Sequence, residues 1–245
     1  MDTNLFKKYI FILYFFIYIF PVFPQDFSRI IELQNPCMNG TDIIGLQKQL
    51  LTLGFSELGE ADGYYGSLTE GIIKKIKTFS GFEINGTVSK NIWDYIFAVK
   101  NNEFLRKIST VIKYNSNELQ DSGNIYNNDG LDFFISAYVY YSLDDKNIKI
   151  VKYDRRDYYT EISCTYYLIN DNEYFVQQYF SDENSFKEND LNIMITIVNR
   201  ILYVENGTQY EILNGNKILS RSNYYISIIN IIENIVETFK EKFIK

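Results

Sequence analysis

The chain has 245 residues, 46% of them hydrophobic and 22% charged, values of a globular protein rather than a disordered or polytopic membrane chain. It holds 22 Tyr, 19 Phe, only 3 Pro and no His, so the commonest general base and metal ligand is missing throughout. That excludes Ser-His-Asp and Cys-His hydrolases and His-ligated zinc enzymes, and a formal net charge of −7 argues against nucleic-acid binding, which draws its affinity from basic groups.

Lys7 and Lys8 precede an apolar run from Tyr9 to Phe20, followed by Pro21, Pro24 and Gln25. Twelve apolar residues fall short of the roughly 20 that span a bilayer as a helix, so residues 1–25 read as a secretory signal peptide, with an uncleaved signal anchor as the alternative. In an exported chain, Cys37 and Cys164 either pair or remain free thiols, and spacing does not decide between the two.

From Gly40 the period is helical. Ile43, Leu46, Leu50 and Leu53 make one apolar face, and Gly54 stands where a left-handed C-terminal residue belongs. The loop Asp62-Gly63-Tyr64-Tyr65-Gly66 leads to Ser67 and Glu70, which read as a capping box for a second helix carrying Leu68, Ile72, Ile76 and Phe79. A turn at Asn85-Gly86 and an N-cap at Ser89 open a third helix with Ile92, Trp93 and Ile96 on one side. Three short amphipathic helices make a minimal bundle.

The order G-x-D-I-x-x-L-Q-x-x-L-x-x-L-G-F, D-G-Y-Y-G-x-x-T and I-N-G-T-V-x-x-x-x-W over residues 40–97 resembles the peptidoglycan-binding domain that accompanies many bacterial cell-wall hydrolases. Asp42, Leu46, Gln47, Leu50, Leu53 and Gly54 match its first helix. Asp62, Gly63, Tyr65, Gly66 and Thr69 match its central loop, and Gly86, Val88 and Trp93 its third element. Where the family usually has an aromatic followed by Gln, this chain has Ile76-Lys77. The resemblance implies peptidoglycan as partner and a shallow groove with Asp62, Tyr64, Tyr65 and Gly66 at its rim as ligand-binding residues. It implies no metal and no cofactor. Tyr64 and Tyr65 read either as ligand contacts or as loop packing, Asp62 as a ligand acceptor or the acceptor of its own Asx turn, and Gly63 and Gly66 as residues the loop needs for positive φ or close approach.

Phe104, Leu105, Ile108, Val111 and Ile112 read as a helix leading away from the bundle, and the Asn-, Asp- and Gly-rich stretch to Gly130 as an exposed loop, so residues 99–130 are expected to be a linker between a domain at 38–98 and one at 131–245. In the second domain Phe133–Leu143, Ile148–Tyr153, Ile162–Leu168, Tyr174–Phe180, Arg200–Val204, Thr208–Leu213 and Lys217–Ser222 read as strands, with residues 191–199 ambiguous between strand and helix. Asn206-Gly207 and Asn214-Gly215 read as type I′ turns. A final helix carries Tyr225, Ile228, Ile229, Ile232, Ile235, Val236, Phe239 and Phe243 in one stripe across the sheet. The expected class is α+β: a three-helix bundle, then an antiparallel sheet domain with a C-terminal helix.

This organisation reads as an exported periplasmic or cell-envelope protein that binds peptidoglycan non-catalytically and whose C-terminal domain binds an unidentified partner. A zinc or Cys-His peptidase is rejected for want of His. The alternative is a carboxylate-dependent glycan hydrolase or lytic enzyme drawing on Asp154, Asp157, Glu161, Asp171 or Glu173; these fall at predicted turns, where the other reading is plain solvation. Tyr138, Tyr140, Tyr141, Tyr158, Tyr159, Tyr166 and Tyr167 read as cross-strand packing in preference to a glycan surface.

Overall fold

The structure, a computed structural model, describes residues 26–114, 119–125, 133–144, 147–157, 160–170, 172–182, 196–220 and 223–243. Residues 1–25, expected to be a signal peptide, and Asp171, Tyr158, Tyr159 and residues 191–195 lie outside these.

Helices α1 (Thr41–Thr52), α2 (Ser67–Phe79), α3 (Lys90–Phe97) and α4 (Asn102–Val111) form the N-terminal module. The apolar spacing of α1 does what it implies: Ile43, Leu46 and Leu50 are fully buried, and Gly54 turns the chain at φ 98°. In α2 the stripe is rotated from the expected one, because Leu68 is 66% exposed while Ile73 is buried beside Ile72 and Ile76. The expected capping box is not formed. Gly66 holds the cap position with no side-chain bond, and the Glu70 carboxylate pairs with Lys74 at 2.9 Å instead. Ser89 holds the α3 cap position but likewise gives no side-chain cap.

The module is larger than the residues that announce it. Residues 26–37 lie along it: Ile31 is fully buried and exchanges backbone hydrogen bonds of 3.1 and 2.7 Å with Val88, and the Phe27 ring meets Trp93 edge-on at 6.1 Å. Much of the expected linker is ordered too. Within 99–130, α4 does not lead away from the bundle but turns Leu105, Ile108 and Val111 into its core, and residues 120–124 form a strand.

Eight strands make one antiparallel meander in sequence order: β1 (Gln120–Asn124), β2 (Phe133–Tyr141), β3 (Ile148–Asp157), β4 (Thr160–Asn170), β5 (Glu173–Asp182), β6 (Thr196–Glu205), β7 (Thr208–Leu213) and β8 (Asn216–Leu219). Both Asn-Gly turns adopt paired positive φ, 49° and 72° at Asn206-Gly207 and 47° and 75° at Asn214-Gly215, as a type I′ reversal requires. Residues Asp154 to Asp157 do not turn. They continue β3, where Asp154 sits opposite Ser163 and Arg156 opposite Glu161.

The period of two gives the sheet two faces. On one, Ala137, Val139, Val151, Tyr153, Cys164, Tyr166, Val176, Leu202 and Val204 are buried in a core shared with Ile232, Ile235 and Phe239 of α5 (Asn223–Phe243), the helix expected across the sheet. On the other, the register aligns Tyr167 with Phe175, Phe175 with Tyr203, and Tyr203 with Tyr210, an aromatic ladder across four strands. Onto this ladder the module inserts Phe79, 5.2 Å from both Tyr167 and Phe175, and Phe104, 5.4 Å from Phe175 and 5.3 Å from Tyr203. Phe175, Ile201, Tyr203 and Ile212 consequently share one buried cluster with the module's own leucines and isoleucines. The result is three layers: module, sheet, helix.

A backbone latch seals the seam. The β7–β8 turn donates Asn214 N–H to Gly81 O at 3.0 Å and Gly215 N–H to Ser80 O at 2.7 Å, at the end of α2. Gly81 has φ 65°, and a Cβ there would lie 2.1 Å from Ile212 O, so only glycine admits the sheet this close.

Candidate functional site

The loop from Asp62 to Gly66 is built around a buried amide. Gln47, 1% exposed on α1, donates from Nε2 to Asp62 Oδ1 at 2.8 Å and to Tyr64 O at 3.1 Å, and its Oε1 accepts Gly63 N–H at 2.7 Å. A polar group buried without partners is costly, so Gln47 and the loop specify each other. Asp62 Oδ1 also accepts Tyr64 N–H at 2.9 Å, the Asx-turn arrangement, and these bonds hold its carboxyl below the ordinary aspartate value. Gly63 is at φ 80°, and a Cβ there would strike Ile44 at 2.8 Å.

The two adjacent tyrosines part company. Backbone bonds pin the chain here, Tyr65 N–H to Met38 O at 2.9 Å and Gly66 N–H to Tyr64 O at 3.0 Å, and the two side chains end in different environments. Tyr65 is fully buried, donates its hydroxyl to Gly86 O at 2.5 Å, and has its phenol pKa raised by burial. Its ring lies in the module core. Tyr64 is 54% exposed and stands at the rim. Gly66 has neither the positive φ nor the close approach expected of it: its φ is −94°, and a Cβ would meet nothing within 4 Å.

Beside the loop, Asp42 receives Arg29 Nε at 2.7 Å, Arg29 Nη2 at 3.1 Å, Ser28 Oγ at 3.0 Å and Ile43 N–H at 3.0 Å. The Arg29 bonds, partly opposed by burial, hold its carboxyl below the usual range. Arg29 also reaches Asn39 O at 2.6 Å, tying the N-terminal strap to the start of α1. At the Ile76-Lys77 departure, Ile76 is core and Lys77, 4% exposed, donates to Asn85 Oδ1, with burial lowering its pKa. Gln47 and Arg29 build the site from outside the loop that the sequence marks as its rim. The signal for Gln47 was present, since it lies one helical turn from Ile43 on the buried stripe; Arg29 offered none.

The three candidate carboxylates whose side chains are described are engaged elsewhere. Glu161 pairs with Arg156, Asp154 accepts Ser163 Oγ at 2.6 Å, and Glu173 is half-buried against Lys107 Nζ at 2.6 Å and accepts the Tyr203 hydroxyl. Glu173 is therefore part of the seam and not a solvated turn. Cys37 is exposed, Cys164 is buried, and neither is in a disulfide; burial pushes the Cys164 thiol up to about 12, far from the thiolate a nucleophile needs. Tyr166 and Tyr141 are buried in the sheet core and Tyr167 belongs to the ladder, in keeping with cross-strand packing. Among the described residues no group of three Cys, Asp or Glu side chains is placed to hold a metal ion, and no helix is long and apolar enough to cross a membrane.

Residues 39–96 match the family model described as a putative peptidoglycan binding domain, and the remainder of the chain matches no family model. No curated protein and no solved structure gives a significant match. A peptidoglycan-binding domain is thus present, and the whole of the loop built on Gln47 falls inside it.

Proposed function

We propose that this chain is an exported cell-envelope protein that holds peptidoglycan without cleaving it. The observation that carries the reading is the family match over 39–96 combined with a fully formed module, in which the Asp62–Gly66 loop is fixed by Gln47 and presents Tyr64 outward. A flat aromatic face held by a rigid loop suits a sugar ring or an acyl peptide, because little conformational entropy remains to be lost on binding. Tyr64 is the contact, Asp62 and Gly66 shape the rim, and Tyr65 anchors it from below. The sheet domain, fused to the module through the aromatic ladder, moves with it and carries its own ligand to the wall.

The test is co-sedimentation of the full chain with insoluble sacculi while soluble muropeptides are assayed in the supernatant. Retention in the pellet with no release is the expected result. Failure to sediment overturns the binding reading, and release of muropeptides overturns the non-catalytic one.

A further inference from the structure

At the seam a pocket of about 370 Å³ opens between α3, α4 and the last hairpin, within the roughly 300–1,000 Å³ typical of small-ligand sites. Rings of Tyr95 and Phe104 line it together with Lys100, Lys107 and Lys217 and the carboxylates of Glu103 and Glu205. Both domains contribute, so the pocket exists only because the module is docked on the sheet.

Its three cations differ in how far they are satisfied. Lys107 Nζ spends its protons on Glu173 at 2.6 Å, Glu103 at 3.0 Å and the Tyr203 hydroxyl at 3.0 Å; these bonds outweigh its burial and raise its pKa. Lys217 has only one oxygen neighbour among the described residues, Glu205 at a long 3.4 Å. Its charge otherwise rests on aromatic faces, 4.3 Å from the Tyr203 centroid, 5.3 Å from Phe104 and 5.6 Å from Tyr210. Lys100 is exposed and forms no ion pair among the described residues. Two lysines with spare donors therefore line a pocket that also has aromatic rings, and a carboxylate is the acceptor that uses them best.

The same pocket disfavours a bare phosphate, because Glu103, 83% exposed, and Glu205 add like charge. A ligand that carries an ammonium close to its carboxylate meets both signs. We propose that the seam pocket binds the free carboxylate end of a short amine-bearing peptide, held by Lys100 and Lys217 with its own ammonium toward Glu103 and Glu205. The site lies apart from the Tyr64 rim and rests on the wall reading only for the source of such peptide ends. It gives the sheet domain a part in recognition, since Lys217 and Glu205 belong to it.

Calorimetry of the full chain with L-lysyl-D-alanyl-D-alanine, and with the same tripeptide ending in an amide, tests this. The acid is expected to bind saturably and the amide about tenfold more weakly, the size of one lost charged hydrogen bond. Lys100→Met and Lys217→Met are each expected to weaken the acid by a similar factor. Lys100→Met is the deciding variant, because its exposed side chain has no folding role to lose. Equal binding of acid and amide, no saturable binding, or wild-type affinity in Lys100→Met overturns the proposal. Sacculus sedimentation is scored separately: a chain that sediments yet ignores the tripeptide refutes the seam pocket alone, and one that binds the tripeptide without sedimenting refutes the wall reading alone.

Discussion

The two ends of the helical module are held by opposite kinds of interaction. At the rim, a buried amide and a few backbone bonds define a loop that buries Tyr65 and leaves Tyr64 facing water. At the seam, Phe79 and Phe104 fill an aromatic ladder and a glycine lets two backbones touch. Hydrogen bonds give about 1 kcal/mol each because water competes for them, whereas removing a ring from a packed site costs several. The rim is therefore a device for shape and the seam a device for stability.

The largest effect belongs to the seam. Phe175→Ala empties a fully buried position that touches Phe79, Phe104 and Tyr203, and a loss of about 4 kcal/mol is expected in urea unfolding. A loss below about 1 kcal/mol would mean the ladder is not a shared core. Gly81→Ala follows at about 3 kcal/mol, since it combines a left-handed φ with a Cβ 2.1 Å from Ile212 O. Gly66→Ala is its control: with negative φ and open space, a change within about 0.5 kcal/mol is expected.

That contrast marks where sequence legibility ends. The 3–4 spacing of Ile43, Leu46 and Leu50 and the Asn-Gly reversals are local signals, and they read through directly. The inward face of α4 did not, because the spacing of Leu105, Ile108 and Val111 shows that a face is buried but not against what. Strand β1, Gln-Asp-Ser-Gly-Asn, lies at the sheet edge with no apolar alternation to betray it. The charged half of β3 imitates a turn because its charges are satisfied across the sheet, Arg156 by Glu161 and Asp154 by Ser163. Tyr64 and Tyr65 look equivalent as letters; only the folded loop, pinned to Met38 and Gln47, sends one out and one in. The docking of module on sheet joins Phe79 to Tyr167 and Phe175, partners far apart in the chain and invisible to any local pattern.

Within the rim, the hub should matter more than its surroundings. Gln47→Leu removes the partner of Gly63 N–H and one partner of Asp62, and about 2 kcal/mol is expected, with sacculus retention falling at temperatures where the chain is still folded. Retention equal to wild type would separate loop order from binding. The Arg29–Asp42 pair sets a smaller, pH-dependent term. Because the folded carboxyl is held below its unfolded value of about 3.9, the stabilisation is complete above that pH and lost as pH falls through the lower folded value. Asp42→Asn should cost about 1 kcal/mol at pH 7, discounted for an Arg29 side chain 43% exposed, and the gap to wild type should close as pH falls through the lowered folded value. A gap that persists in acid would place the cost in packing rather than charge.

The smallest effect on stability should be the most informative about function. Tyr64 is 54% exposed, and its backbone, not its ring, makes the bonds to Asp62 and Gln47. Tyr64→Ala therefore keeps the loop and removes only the outward face, so unfolding should shift by less than about 0.5 kcal/mol. If that face meets the wall, affinity for sacculi should drop about tenfold, the loss expected when an aromatic contact worth about 1.5 kcal/mol disappears. Tyr64→Phe should retain most of the affinity if stacking dominates, and little of it if the hydroxyl is the recognised group. A Tyr64→Ala chain that sediments like wild type would show that the rim is scaffolding and move the search for the contact surface to another face of the module.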